Sequence, residues 1–169
     1  MAVPEHPKGS QPHGSIADEL ARGQQNLDVT VVSPAGSIYE GAAHWVTVPG
    51  QNGQLGIWPK HAELVAALGA GPLRIGTGGT NVIRFAVRGG FVRVGQNKVT
   101  ILVDRAVTEA NVDTGEARRE LDETLAALQH PKTDAEFADL LERRAWSETR
   151  LKMAGAPAGG GGGGGGAHH

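Results

Sequence analysis

Residues 82–104 read VIRFAVRGGFVRVGQNKVTILVD. From Val82 to Arg88 the chain alternates, with Ile83, Phe85 and Val87 on one face and Arg84, Ala86 and Arg88 on the other. A period of two belongs to a strand with one buried face. Gly89-Gly90 reads as a break, after which Phe91 to Val94 resumes the strand. Gly95-Gln96-Asn97-Lys98 is a hairpin-type turn leading into a second apolar run, Val99 to Val103.

The same grammar extends upstream. Leu27 to Val32 opens as a strand, and Ser33-Pro34-Ala35-Gly36 is a tight turn in which proline presets φ and glycine is free to take a positive one. His44 to Val48 is another strand, ended by Pro49-Gly50. Many short strands at close spacing predict an all-β sandwich of about ten short antiparallel strands.

Downstream the period changes. Ala117, Leu121, Leu125 and Leu128 recur at three and four, which is one face of a helix over 113–129. Asp113 with Glu116, and Thr133 with Glu136, have the spacing of capping boxes. His130-Pro131 separates the first helix from a second, which runs to Met153 with Phe137, Leu140, Leu141, Ala145 and Leu151 on its apolar side. So short a connection predicts an antiparallel hairpin, and each apolar stripe is narrow enough to need a partner surface. The chain thus divides into an extension (1–26) with at most a short helix around 16–22, a β-sandwich (27–106), a two-helix hairpin (107–153) and a flexible tail (154–169) with eight consecutive glycines, Gly159 to Gly166.

Composition narrows the chemistry. The formal net charge of −2 gives no broad basic field for nucleic acid or anionic lipid. There is no cysteine, which removes disulfides, thiolate metal sites and cysteine nucleophiles and fits a reducing compartment. No run of about eighteen apolar residues is present to span a membrane. The first residues, with Pro4, Glu5, Pro7 and Lys8, lack the apolar core of a signal peptide, and Glu5, Asp18 and Glu19 interrupt a transit-peptide pattern. Of the histidines, His6, His13, His168 and His169 lie in the two ends, and His44, His61 and His130 have no ligand spacing. Gly76-Thr77-Gly78-Gly79 lies between strands and so lacks the helix N-terminus of a phosphate cradle. No catalytic residue, cofactor or metal site is expected.

The densest stretch is PGQNGQLGIWPKHAEL, Pro49 to Leu64. Its glycine and proline turns hold a few apolar anchors and one histidine, the make-up of a shaped loop pair at the end of a sandwich. His61 there is a buried histidine satisfied by backbone groups, a contact residue, or neither.

Taken in order, these segments resemble the epsilon subunit of F-type ATP synthases, called delta in mitochondria. LDVTVVSPAGSIYEG (27–41), VPGQNGQLGIWPKHAEL (48–64), Leu73-Arg74-Ile75, AVRGGF (86–91) and the run from Asn97 to Asp104 carry the resemblance, which spans about residues 27–153. It implies a flattened sandwich followed by a helical hairpin, and a non-catalytic rotor subunit in the central stalk of a proton-translocating ATP synthase. The implied partners are the gamma subunit, the c-ring, and the beta and alpha subunits when the hairpin extends. The implied location is the cytoplasmic face of the cell membrane, held peripherally. Gly53, Leu55, Ile57, Trp58 and His61 become candidate stalk or ring contacts, with plain core packing the alternative for Leu55 and Ile57.

The resemblance also implies that an extended hairpin inhibits ATP hydrolysis. Arg143, Arg144, Arg150 and Lys152 are its candidate inhibitory contacts, toward an acidic segment of beta. The alternative is a solvated face with intrahelical pairs such as Asp139–Arg143. Some relatives bind ATP through an aspartate-and-arginine motif at the start of the hairpin. Asp113 and Ala117 match it, but Glu116 and Glu123 stand where it has arginines, so no useful ATP binding is expected. The alternatives to a rotor subunit are a stand-alone β-sandwich binding module with a helical interaction tail, and an enzyme, for which no nucleophile–base pair is in view.

Overall fold

The computed structural model describes residues 26–155. The expected helix around 16–22, and all but the first two residues of the glycine-rich tail, lie outside them. Eight strands come first: β1 (Leu27–Ser33), β2 (Gly36–Ala43), β3 (Trp45–Gly50), β4 (Gly53–Ile57), β5 (Leu64–Ala67), β6 (Ala70–Gly78), β7 (Asn81–Gly95) and β8 (Lys98–Thr108). A single 3-10 turn (Glu109–Asn111) leads to α1 (Thr114–Ala127) and α2 (Asp134–Met153).

The strands form one sheet in the order β2-β1-β8-β7-β6-β3-β4, with β5 also paired to β7. β7 and β8 are long enough to run through both layers of the sandwich. The first half of β7 pairs with β6, its last part pairs with β5, and β8 pairs with it on both sides of the bend, from Phe85↔Thr108 to Gly95↔Lys98. The bend between layers is Gly89-Gly90, with φ of 71° and 113°. A side chain on Gly90 would collide with the Leu102 carbonyl oxygen, and one on Gly89 with the Asp104 carboxylate. The glycine pair therefore bends the strand where the sequence pattern suggests it stops, and this is one reason for eight strands in place of about ten. The antiparallel expectation needs a second correction, because β1 pairs with β8 in parallel, from Asp28↔Lys98 to Val32↔Leu102. Parallel neighbours need a long crossover, and β2 to β7 supply one.

The turn between β7 and β8 puts Gln96 and Asn97 at φ of 51° and 60°. Two left-handed residues match the natural twist of a hairpin. Inward residues of both layers, among them Val29, Val46, Ile57, Leu73, Val87 and Ile101, are fully buried in one core.

Both helices start as their caps dictate. The Asp113 side chain accepts from the Glu116 N–H at 3.0 Å, and the Thr133 hydroxyl oxygen accepts from the Glu136 N–H at 3.0 Å. The Glu136 carboxylate reaches back to the Lys132 N–H at 2.7 Å. α1 packs on α2 through Ala117, Leu121, Leu125 and Leu151, a small cluster separate from the sandwich core. α2 in turn lies against β6 and β7. The hairpin is thus folded onto the sandwich, and Ala86, on the outward side of β7, is fully buried. Phe137 and Leu141 face solvent, 44% and 42% exposed, so the buried stripe of α2 runs instead through Leu140, Trp146 and Leu151.

Candidate docking surfaces

The glycine- and proline-rich stretch forms the β3–β4 hairpin and the loop after it. Gly53 sits exposed at the hairpin tip with φ of 123°. Leu55 is half-buried against the core, and Ile57 is fully buried within it. Ile57 is a packing residue with no side-chain surface for a partner. Trp58 is 55% exposed, its indole lying across Gly56, where any Cβ would collide with the ring. The loop is tied down at Lys60, whose N–H donates to the Asn97 side chain at 2.6 Å, and at His61, whose N–H donates to the Trp58 carbonyl at 3.1 Å. His61 is half-buried, and its Nδ1 lies 2.8 Å from the Ala62 carbonyl oxygen. A carbonyl can only accept, so Nδ1 is the donor in this contact. Gly53, Trp58 and His61 thus present surface on a held loop, with Leu55 half in the core.

A second surface escapes the sequence reading. Phe91 and Leu102 pair directly across β7 and β8, and are 56% and 50% exposed. The row continues to Val32 on β1 and Ala67 on β5, with Val65, 70% exposed, diagonally beside Phe91. These residues form an apolar strip across the layer that the hairpin does not cover. Solvated sheet faces carry polar residues at such positions, so a contiguous apolar strip marks a contact surface. Its trace in the sequence is Leu102, which breaks the inward-outward alternation of Val99, Ile101 and Val103.

The third surface joins hairpin to sandwich. Arg88 of β7 donates through Nε to Glu142 at 3.0 Å and through a terminal nitrogen to Asp139 at 3.2 Å, both on α2. Asp139 thus pairs with the sandwich rather than with Arg143. Trp146, buried, has two guanidinium groups over its ring: Arg105 of β8 at 5.4 Å and Arg150 at 4.7 Å from the ring centre.

The basic cluster of α2 divides in this folded state. Arg150 is buried, ion-paired to Glu120 of α1. Its position on the Leu140–Trp146–Leu151 stripe turns it inward, so it is a hairpin-internal residue here. Arg143 lies 3.9 Å from Glu120, and Arg144 bonds Glu148 one turn on at 2.8 Å. Lys152 is exposed.

Where α1 begins, Asp113 and Glu116 line a groove of about 400 Å³ with Asp104, Arg105, Trp146 and Arg150. Three carboxylates face two guanidiniums there, and Arg150 is already held by Glu120. Glu123 lies exposed further along α1. Phosphate groups would meet net negative charge at this groove. Among the described residues, no group of histidine, aspartate and glutamate side chains is arranged to hold a metal ion.

A bent β-sandwich with an uncovered apolar strip, a held loop and two helices folded on its other layer defines a docking module with a helical arm. Residues 26–109 match the family model described as ATP synthase, Delta/Epsilon chain, beta-sandwich domain. The ATP synthase epsilon chain of Halalkalibacterium halodurans is 41% identical over 132 residues, covering 76% of this chain and 97% of that one. The epsilon chain of Delftia acidovorans is 34% identical over 128 residues, covering 76% and 89%. The chain belongs to the ATP synthase epsilon-chain family. In fold it also resembles a chain in the Euglena gracilis mitochondrial ATP synthase OSCP/F1/c-ring structure (TM-score 0.64, 22% identity, covering 76% of this chain and 81% of that one).

Proposed function

We infer that this chain is the non-catalytic central-stalk subunit of an F-type ATP synthase, turning with the c-ring and passing its rotation to the catalytic head through gamma. The observation that carries this is the apolar strip of Leu102, Phe91 and Val65 in a member of the epsilon-chain family. A rotor part that transmits torque needs a stable seat, and exposed aromatic and aliphatic side chains on a rigid sheet provide one. In this reading the strip seats on gamma, while the loop bearing Gly53, Trp58 and His61 faces the c-ring. The subunit sits peripherally on the cytoplasmic side of the membrane, and no helix among the described residues is long and apolar enough to cross one.

The hairpin, residues 107–153, is the regulatory arm in this reading. Its apolar cluster is separate from the sandwich core, so it can leave the sheet without unfolding the sandwich. Once released, Arg143, Arg144 and Lys152 would meet the acidic surface of beta and resist ATP hydrolysis. Arg150 stays inside the hairpin for as long as α1 and α2 remain paired. Truncation after residue 112 tests the arm. Hydrolysis by coupled membranes should rise while the complex still assembles, and unchanged hydrolysis would sink the inhibitory role.

A further inference from the structure

A groove of about 510 Å³ runs between the last turns of α2 and strands β6 and β7. Arg74 and Arg84 face each other directly across those strands at its edge, both exposed. Like charges placed opposite each other on a sheet destabilise it. Neither arginine has an ion-pair partner among the described residues, in contrast to Arg88, Arg143, Arg144 and Arg150. Lys152 of α2 adds a third cation to the same lining, and Pro72 and Met153 give it an apolar part.

We propose that this groove docks an acidic segment of a partner polypeptide, with a carboxylate held between Arg74 and Arg84 and an adjacent apolar side chain against Pro72 and Met153. Two guanidinium forks on directly opposed positions of one groove suit a carboxylate. The balance of charge decides against polyphosphates. Glu109 and Glu148 also line the groove, and Arg144 neutralises only Glu148. With Glu148 neutralised, Arg74, Arg84 and Lys152 stand against Glu109, a net charge near +2 that suits one or two carboxylates, whereas several phosphates in a row would exceed it and would meet Glu109. The site is apart from the apolar strip, from the Trp58–His61 loop and from the acidic groove at Asp113 and Glu116.

The test uses the full chain and a fluorescein-labelled pentapeptide of alternating leucine and aspartate, read by anisotropy at low salt. Saturable binding at or below about 1 mM is expected. The double variant R74Q/R84Q should weaken it about ten-fold or more, as should replacing the aspartates by asparagine. R119Q, an exposed arginine on α1, should bind as wild type. The single variants R74Q and R84Q, each checked by thermal melting, guard against misfolding of the double and should each show part of the loss. The proposal is overturned if the peptide does not bind, if the asparagine peptide or the double variant binds as tightly, or if inorganic phosphate displaces the peptide at equal concentration.

Discussion

Arg88 holds the hairpin to the sandwich, and R88Q removes its charge while keeping most of its stem over the sheet. The Arg88 side chain is 18% exposed, and those of its partners Glu142 and Asp139 are 40% and 58% exposed. Pairs this open to water contribute about 0–1 kcal/mol each, with the more buried Glu142 contact toward the upper end. The orphaned carboxylates can hydrate, so little extra penalty follows their loss. Docking should weaken by about 1–2 kcal/mol, a factor of roughly 5–30 in the ratio of docked to undocked hairpin. Trp146 reports the change, since it is 3% exposed beside Arg105 when α2 is docked and would meet water when it lifts. In a W45F/W58F background its emission should shift to the red and its quenching by iodide should increase in R88Q. D139N/E142Q should reproduce the effect, and adding R88Q to that pair should change nothing further, the signature of one shared interaction. Salt shortens the screening length from about 10 Å at 0.1 M to about 3 Å at 1 M, so wild type in high salt should approach R88Q. Equal Trp146 exposure in R88Q and wild type at low salt would refute the electrostatic latch.

The bend between layers makes G90A the most damaging conservative change in the sandwich. A methyl group there meets the Leu102 carbonyl oxygen at a φ of 113°, so a loss of about 3 kcal/mol or more is expected in urea unfolding, and a smaller loss would show that the strand can bend elsewhere. Within the hairpin, E120Q leaves the buried Arg150 without its carboxylate and should cost about 3 kcal/mol of hairpin stability, read as faster amide exchange in α1 and α2 while β7 and β8 stay protected. Calorimetry of the isolated chain with Mg-ATP should show no tight binding, because Glu116 and Asp113 face the groove that phosphates would enter. Tight binding would overturn that reading of the charges.

The fold was legible wherever one local rule governed. Alternation at Ile83, Phe85 and Val87 identified a strand, and Asp113 and Thr133 marked the helix starts, because each depends on neighbours a few residues away. The bend was not legible. Gly89-Gly90 allows a strand to end or to turn a corner, and only the pairing of β8 with β7 on both sides of the glycines decides between them. The parallel contact of β1 with β8 joins segments about 70 residues apart, beyond the reach of any turn signal.

The docking residues divide in the same way. The loop at Trp58 and His61 announced itself through glycine and proline, whereas Ile57 two positions after Leu55 turned out to be core. Phe91 and Leu102 sit eleven residues apart and become one surface only through their cross-strand register. Arg150 looked like part of an exposed basic cluster because its burial depends on Glu120 from the other helix.

The central claim is that the apolar strip seats this subunit in the stalk and so lets rotation be transmitted. Membrane vesicles stripped of their epsilon subunit and rebuilt with this chain or with its F91D/L102D variant test it through ATP synthesis driven by a proton gradient. Both substitutions fall on exposed side chains, but the two carboxylates face each other across β7 and β8 and should lower the melting temperature somewhat. The single variants F91D and L102D are therefore run beside the double to separate lost seating from lost folding. Wild type should restore synthesis and co-sediment with gamma, and the variant should do neither. Full synthesis with a stably folded variant would contradict the account.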